Sequence, residues 1–111
     1  MLKEKEMKGV DTSVSLLCKF WFEDGVWNGI TEDLAVAVFG NTFEEAMANL
    51  RAAIKSHMEA LIEAGEVKDL VPQLQQKAKD YGFLSLEKMS PESPLVKMSV
   101  VMKNGELVAV K

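Results

Sequence analysis

The hydrophobic periodicity of this chain changes from two residues to three or four residues at the segment Gly40-Asn41-Thr42. Before this segment, apolar residues alternate with other residues, as they do in the strands of a sheet with one buried face. After it, apolar residues form one stripe at helical spacing: Phe43, Met47, Leu50, Ile54, Met58 and Leu61. A one-sided sheet and a one-sided helix each need a partner, so we expect the helix to cover the sheet.

Three strands are predicted before the change of period. Residues 14–23 alternate, residues 26–30 return after the turn pair Asp24-Gly25, and residues 34–39 have high strand propensity. In the first strand we expect one set of side chains to face the core, namely Val14, Leu16, Cys18, Phe20 and Phe22.

The helix that follows is predicted over residues 43–64. Thr42 is positioned to cap its first turn, Glu45 to return the bond as in a capping box, and Gly65 to end it. A second, shorter helix is predicted over residues 70–81, where Pro72 is tolerated in the first turn.

The carboxyl-terminal residues 96–110 read as a β-hairpin around the type I′ turn pair Asn104-Gly105, after a connector at residues 90–94. An isolated hairpin is marginal in water. We therefore expect this hairpin to pack on the helical layer, on an edge of the first sheet or on its copy in a second chain, and we favour the last two.

These elements predict an α+β protein, in which a three-stranded antiparallel sheet is covered by a long helix and followed by a second short helix and a carboxyl-terminal β-hairpin. The length of 111 residues fits a single domain. We expect that domain to span residues 13–111, after a mobile arm at residues 1–12 that is rich in Lys and Glu.

Composition narrows the classes of function. The net charge of −4 argues against a broad electrostatic grip on nucleic acid and favours a basic protein partner. No window approaches the roughly 20 apolar residues of a membrane span, and the amino terminus does not resemble a signal peptide. The expected location is therefore the cytoplasm.

The residues that usually carry catalysis are scarce. Cys18 and His57 are the single cysteine and histidine, and we interpret them as a buried, inert thiol and a residue at the boundary of the core. Zinc would need several Cys or His ligands. Carboxylates near the strand ends are the residues that a magnesium-dependent nuclease would use, but turns and the helix cap account for most of them: Asp24, Glu32, Asp33, Glu44 and Glu45. We predict no enzyme, no cofactor and no catalytic or metal-binding residue.

Three aromatic residues outside the helix stripe, Trp21, Trp27 and Phe39, could serve base stacking, a protein interface or core packing. Trp21 suits either a protein interface or the core, and for Phe39 we expect core packing. Stacking on nucleic-acid bases is disfavoured because Lys19 is the only basic residue near these aromatic residues in the sequence.

Residues 15–66, about half of the chain, resemble the HicB-like antitoxin family. The resemblance rests on an acidic-Gly turn before an aromatic residue, on Asp33-Leu34, on the start of the long helix and on its end. The matching residues are Glu23, Asp24, Gly25, Trp27, Asp33, Leu34, Gly40, Asn41, Thr42, Glu44, Glu45, Ala46, Glu59, Ala60, Leu61, Gly65 and Glu66. Ala35-Val36 replaces the Pro-Gly of the family's middle loop.

The resemblance implies a truncated ribonuclease-H-like domain without an active site, which binds and blocks a small basic toxin ribonuclease of the HicA type. Under this hypothesis the partner-binding candidates are Trp21, Trp27, Asp33 and Glu32. No complete DNA-binding motif follows Glu66, so we expect no direct operator binding. The alternative is a stand-alone homo-oligomeric regulatory or ligand-binding domain of the same fold, and either form is expected to self-associate through a strand edge or the hairpin.

Overall fold

The computed structural model describes residues 11–76, 93–103 and 106–111. It is an α+β structure whose strands are β1 (Asp11–Glu23), β2 (Val26–Thr31), β3 (Val36–Gly40), β4 (Leu95–Lys103) and β5 (Glu106–Val110). A 3₁₀ turn (Glu32–Leu34) joins β2 to β3, and α1 (Phe43–Ala64) follows β3. A second helix, α2, occupies residues 67–76 of the described part.

The five strands form one antiparallel sheet in the order β3-β2-β1-β4-β5. This corrects the expected three-stranded sheet, because β4 pairs along nine positions with β1, from Asp11–Lys103 to Lys19–Leu95. The carboxyl-terminal hairpin therefore completes the first sheet of its own chain, which is one of the positions expected for it. Its turn pair Asn104-Gly105 lies outside the described residues.

The core lies between the sheet and α1. The residues expected to face it from the first strand are fully buried, except Phe22, which is 56% exposed and lies near the tip of the β1–β2 hairpin. From α1, Leu50, Ile54 and Met58 are fully buried, as is Ala46. The hairpin adds further core residues, namely Met98, Val100, Met102 and Val110.

The hairpin turn and the two ends of α1 have the predicted residues, but one bond of the capping box differs from the prediction. Asp24 and Gly25 have positive φ angles of 54° and 81°, as a two-residue hairpin requires. The Thr42 hydroxyl accepts a hydrogen bond from Glu45 N at 3.0 Å, but Glu45 Oε1 accepts from Asn41 N at 3.4 Å instead of from Thr42. Gly65 ends α1 in the left-handed conformation.

The sequence-based boundaries shift at three other places. The strand β1 begins at Asp11 rather than at residue 14, because β4 is present to pair with it. Leu34 belongs to the 3₁₀ turn and not to β3. The second helix already begins at residue 67, and the part of its predicted range beyond residue 76 lies outside the described residues.

Candidate functional site

A groove lies between the carboxyl-terminal half of α1 and the start of β5. We call it the α1–β5 groove; it has a volume of about 460 Å³ and is lined by Glu59, Ile62, Glu63, Glu106 and Leu107. The two apolar residues are half-buried, whereas all three glutamates are exposed. The groove thus presents carboxylates around a partly apolar floor.

Two glutamates of this groove, Glu59 and Glu63, are placed unfavourably with respect to the charges around them. Glu59 and Glu63 are one helical turn apart, where like charges repel. They also approach the negative end of the helix dipole, and α1 has no basic residue in its last turn. Within the described ranges, neither these two carboxylates nor that of Glu106 has an ion-pair partner. These interactions raise the free energy of the folded protein on its own. A positively charged group bound beside the carboxylates would lower it.

A second groove of about 480 Å³ lies on another side of α1, between the 3₁₀ turn and α2. We call it the α1–α2 groove, and it combines an apolar part with three carboxylates, an imidazole and an amide. Its lining consists of Asp33, Leu34, Ala35, His57, Leu61, Glu66, Asp69, Leu70 and Gln73. Glu66 and Asp69 also lie at the start of α2, where acidic residues stabilise a helix, so their charge has a structural reason.

The 3₁₀ turn brings acidic residues to the edge of the α1–α2 groove. Ala35 has a φ angle of 53°, an uncommon conformation for a residue with a side chain, and its N–H donates to Glu32 O at 3.1 Å. This tight turn puts Asp33 in the groove lining and leaves Glu32 exposed.

The four partner-binding candidates from the sequence do not share one surface. Glu32 and Asp33 lie together in the 3₁₀ turn. Trp27 lies on the helix side of the sheet, half-buried, with its ring 5.3 Å from that of Phe43. Trp21 lies on the opposite face of the sheet, which we call the outer face, because its position in β1 alternates with those of the buried residues.

Phe39 also lies on the outer face, where it is 70% exposed, so the expectation that it packs in the core is wrong. The core side of β3 is formed by its neighbour Val38, which packs against the buried cluster. One side of the edge strand β3 is partly closed, because Asn49 of α1 donates to Phe39 O at 2.8 Å.

Cys18 is buried in the core, as expected. Burial raises the pKa of its thiol from 9.0 to about 12, with a further increase from the Asp33 carboxylate, while Thr31 and Arg51 act in the opposite direction. Its thiol contacts Leu16 O at 3.8 Å. Because the thiol of Cys18 stays protonated, it is a poor nucleophile.

Thr31 Oγ1 is also buried, and it meets no partner with hydrogen-bonding geometry in the part of the chain described.

Sequence reasoning missed the residues of the α1–β5 groove as a group. Glu59 is one of the residues that match the HicB-like family, whereas Glu63 and Glu106 belong to no motif in the sequence. The usable signal was the pair of glutamates four residues apart near the end of a helix that lacks a terminal Lys or Arg. Their proximity to Glu106 depends on the position of β5, which no local pattern specifies.

The described residues contain no group of three or more His, Cys, Asp or Glu side chains arranged to hold a metal ion. In the same residues, no helix is both long and apolar enough to cross a membrane. Comparison of the chain with models of protein families, with curated proteins and with solved structures returns no match.

Proposed function

We propose that this chain is a non-catalytic protein-interaction domain whose helix side binds a small basic protein, and that the partner is a toxin ribonuclease of the HicA type. The proposal joins the resemblance of residues 15–66 to HicB-like antitoxins with the charge arrangement around α1. Cys18 supports a role without nucleophilic catalysis, because its thiol is buried and its pKa is raised to about 12.

The observation that carries this proposal is the α1–β5 groove. The carboxylates of Glu59 and Glu63, which have no ion-pair partner among the described residues, lie beside Ile62 and Leu107, which is the pattern of an interface with an apolar centre and a charged rim. A partner with Lys or Arg residues on an apolar surface would neutralise the repulsion between Glu59 and Glu63 and bury the floor. The acidic α1–α2 groove extends the negative field on the same helix and steers a basic partner towards it.

Co-purification from the native host tests the proposal. A tagged full-length chain is expected to recover a small basic protein that cleaves RNA when separated from it. Adding the chain back is expected to stop this cleavage at a molar ratio near one. Recovery of a partner without ribonuclease activity would remove the toxin assignment, and recovery of none would remove the partner.

Matched charge variants locate the interface. The variant Glu59→Gln/Glu63→Gln is expected to recover much less of the partner than the wild type. The control Glu23→Gln/Glu44→Gln removes the same number of exposed carboxylates far from the groove and is expected to bind normally. Equal loss in both variants would show that only the net charge matters.

The second candidate is a homo-oligomeric domain without a toxin partner, with a regulatory or ligand-binding role. It is favoured by the strand β5, which is the outer strand of the sheet and carries Val108 at a bulge, 55% exposed. No other strand of the described residues pairs with the outer edge of β5, and an edge with an exposed apolar residue invites pairing with a second copy. Light scattering on the wild type and on Val108→Lys tests this role, since a mass of one chain in both would exclude it.

A further inference from the structure

The sheet order assembles a stripe of lysines and aromatic residues on the outer face. Because β4 lies beside β1, Lys97 is opposite Leu17 and shares a face with Lys19 and Trp21. Lys111 N donates to Ser99 O at 2.8 Å, which places it next to β4 beyond the end of β5. All three lysines are exposed, and no described helix covers this face.

The aromatic end of the stripe crosses β1, β2 and β3. Asn28 is paired with Trp21 on one side and with Phe39 on the other. Two strand spacings separate the aromatic residues, about 10 Å. Asn28 Nδ2 donates to Val26 O at 3.5 Å, so its Oδ1 is left to accept from a ligand. From Phe39 to Lys111 the stripe runs diagonally over all five strands.

A pocket of about 370 Å³ lies at the junction of the aromatic and basic parts. It is lined by Lys19, Trp21, Phe22 and Ser93. It forms where the pairing of β4 with β1 ends at Lys19 and Leu95, beyond which no strand of the described residues lies beside β1 on that side. A planar group in this pocket meets an indole ring and an ammonium group together.

We infer that the outer face binds single-stranded RNA, with bases stacked on Trp21 and Phe39 and phosphates held by Lys19, Lys97 and Lys111. Exposed aromatic residues and lysines on one sheet face are the combination with which proteins hold unpaired strands. The lysines attract phosphate even though the whole chain carries a net charge of −4, because the acidic grooves lie on the other side of the sheet. Glu23 shares the outer face but lies beyond Trp21 at the end of β1.

Single strands fit this surface better than a duplex. Stacking on Trp21 and Phe39 requires bases that are not already stacked within a helix, and the outer face has no protruding element among the described residues that could enter a groove. RNA is the assigned source because Asn28, between the two aromatic residues, presents an acceptor to the ribose 2′-hydroxyl. A basic protein partner is disfavoured here, because the three lysines would repel it. The inference does not depend on the proposed function.

The experiment uses the purified full chain alone. Fluorescence anisotropy with a labelled 12-nucleotide oligouridylate at low salt is expected to give saturable binding that weakens as salt is added. In Lys19→Gln/Lys97→Gln, the slope of log K against log salt is expected to fall by about 1.4, at about 0.7 per phosphate contact in single strands. Phe39→Ser is expected to weaken binding about tenfold, through the loss of one stacked base.

Control variants distinguish binding at the outer face from non-specific binding of RNA elsewhere on the chain. Lys55→Gln removes an exposed lysine from α1 and is expected to leave the affinity unchanged. In Trp27→Phe, Trp21 is the remaining tryptophan, and oligouridylate is expected to quench its emission. Absence of binding, or the same loss in Lys55→Gln as in the double variant, would overturn the inference. Equal or tighter binding of oligothymidylate would overturn the assignment to RNA, and tighter binding of a 12-base-pair duplex would overturn the assignment to single strands.

Discussion

At Gly29 the ring of Phe20 packs directly against the backbone of β2, where no side chain would fit. A Cβ atom at this position would lie 2.6 Å from Cε2 of Phe20, whose buried ring is in turn 5.2 Å from that of Phe43. We expect Gly29→Ala to lower the free energy of unfolding by about 1–3 kcal/mol, because a buried ring has no free space to move into. Urea denaturation followed by circular dichroism measures this. The neighbouring outer-face variant Asn28→Ala is the control, with an expected change within about 0.5 kcal/mol.

Cys18 makes stability depend on alkaline pH. Its pKa is raised from 9.0 to about 12 by burial, so between these values the unfolded chain loses the thiol proton while the folded chain keeps it. The unfolded state then binds fewer protons, and stability falls as pH rises. From pH 9 to 11 we expect the wild type to lose about 2 kcal/mol more than Cys18→Ala, at about 1.4 kcal/mol per pKa unit. Parallel pH profiles of the two proteins would contradict this.

In helix α1, the glutamates of the α1–β5 groove oppose the helix that carries them. We expect Glu59→Gln/Glu63→Gln to stabilise the free protein by about 0.5–1 kcal/mol, because it removes a repulsive pair near the negative end of the helix dipole. Thermal and urea unfolding measure the change. The variant Glu23→Gln/Glu44→Gln is expected to change stability in the opposite direction, because Glu44 lies in the first turn of α1, where a carboxylate interacts favourably with the helix dipole. A loss of stability in the groove variant would show that these carboxylates have a structural role in the free chain.

Local elements could be predicted from the sequence because their signals are local. The bounds of α1, residues 43–64, follow from its cap, its apolar stripe and Gly65, and the turn at Asp24-Gly25 follows from its residue types. The five-stranded sheet could not be predicted in the same way. Pairing of β4 with β1 joins residues about 80 positions apart in the chain, and a hairpin pattern does not specify which edge it joins.

The outer face shows the same limit on predicting a site. In the sequence Lys19 is the only basic residue near Trp21. The sheet places Lys97 on the same face, opposite Leu17, which is two residues before Lys19 in β1. The exposure of Phe39 was also missed, because a short strand with Val36, Val38 and Phe39 does not reveal which residues face inward. The place of Glu32 and Asp33 in a turn could be predicted, because the residue types that form a turn are visible locally.

The whole molecule depends on the carboxyl-terminal hairpin for its core. Met98 and Val100 are fully buried, and β4 is the neighbour of the central strand β1. We expect deletion of residues 93–111 to give an unfolded or aggregating chain rather than a folded one of lower oligomeric state, because it removes two strands and exposes the edge of β1. Circular dichroism and light scattering distinguish these results. A truncated chain that unfolds cooperatively and stays in solution would contradict the assignment of the hairpin to the core.

The molecule has two surfaces of opposite character on the two sides of one sheet. The helix side has acidic grooves with apolar floors, and the outer face has a diagonal of aromatic residues and lysines. A basic protein and a single-stranded RNA could therefore be bound at the same time without competing for a residue. Binding of the basic protein on the helix side can be measured as its affinity for variants of the α1–β5 groove.

Calorimetric titration of the co-purified basic protein into the wild type, Glu59→Gln/Glu63→Gln and Glu23→Gln/Glu44→Gln measures whether the partner binds at the α1–β5 groove. We expect the groove variant to bind at least tenfold more weakly, because it loses two charges that would pair with Lys or Arg residues of the partner around the apolar centre of the contact, and the control to bind within about twofold of the wild type. Equal affinities of the wild type and the groove variant would contradict the account, since the partner would then bind elsewhere on the chain.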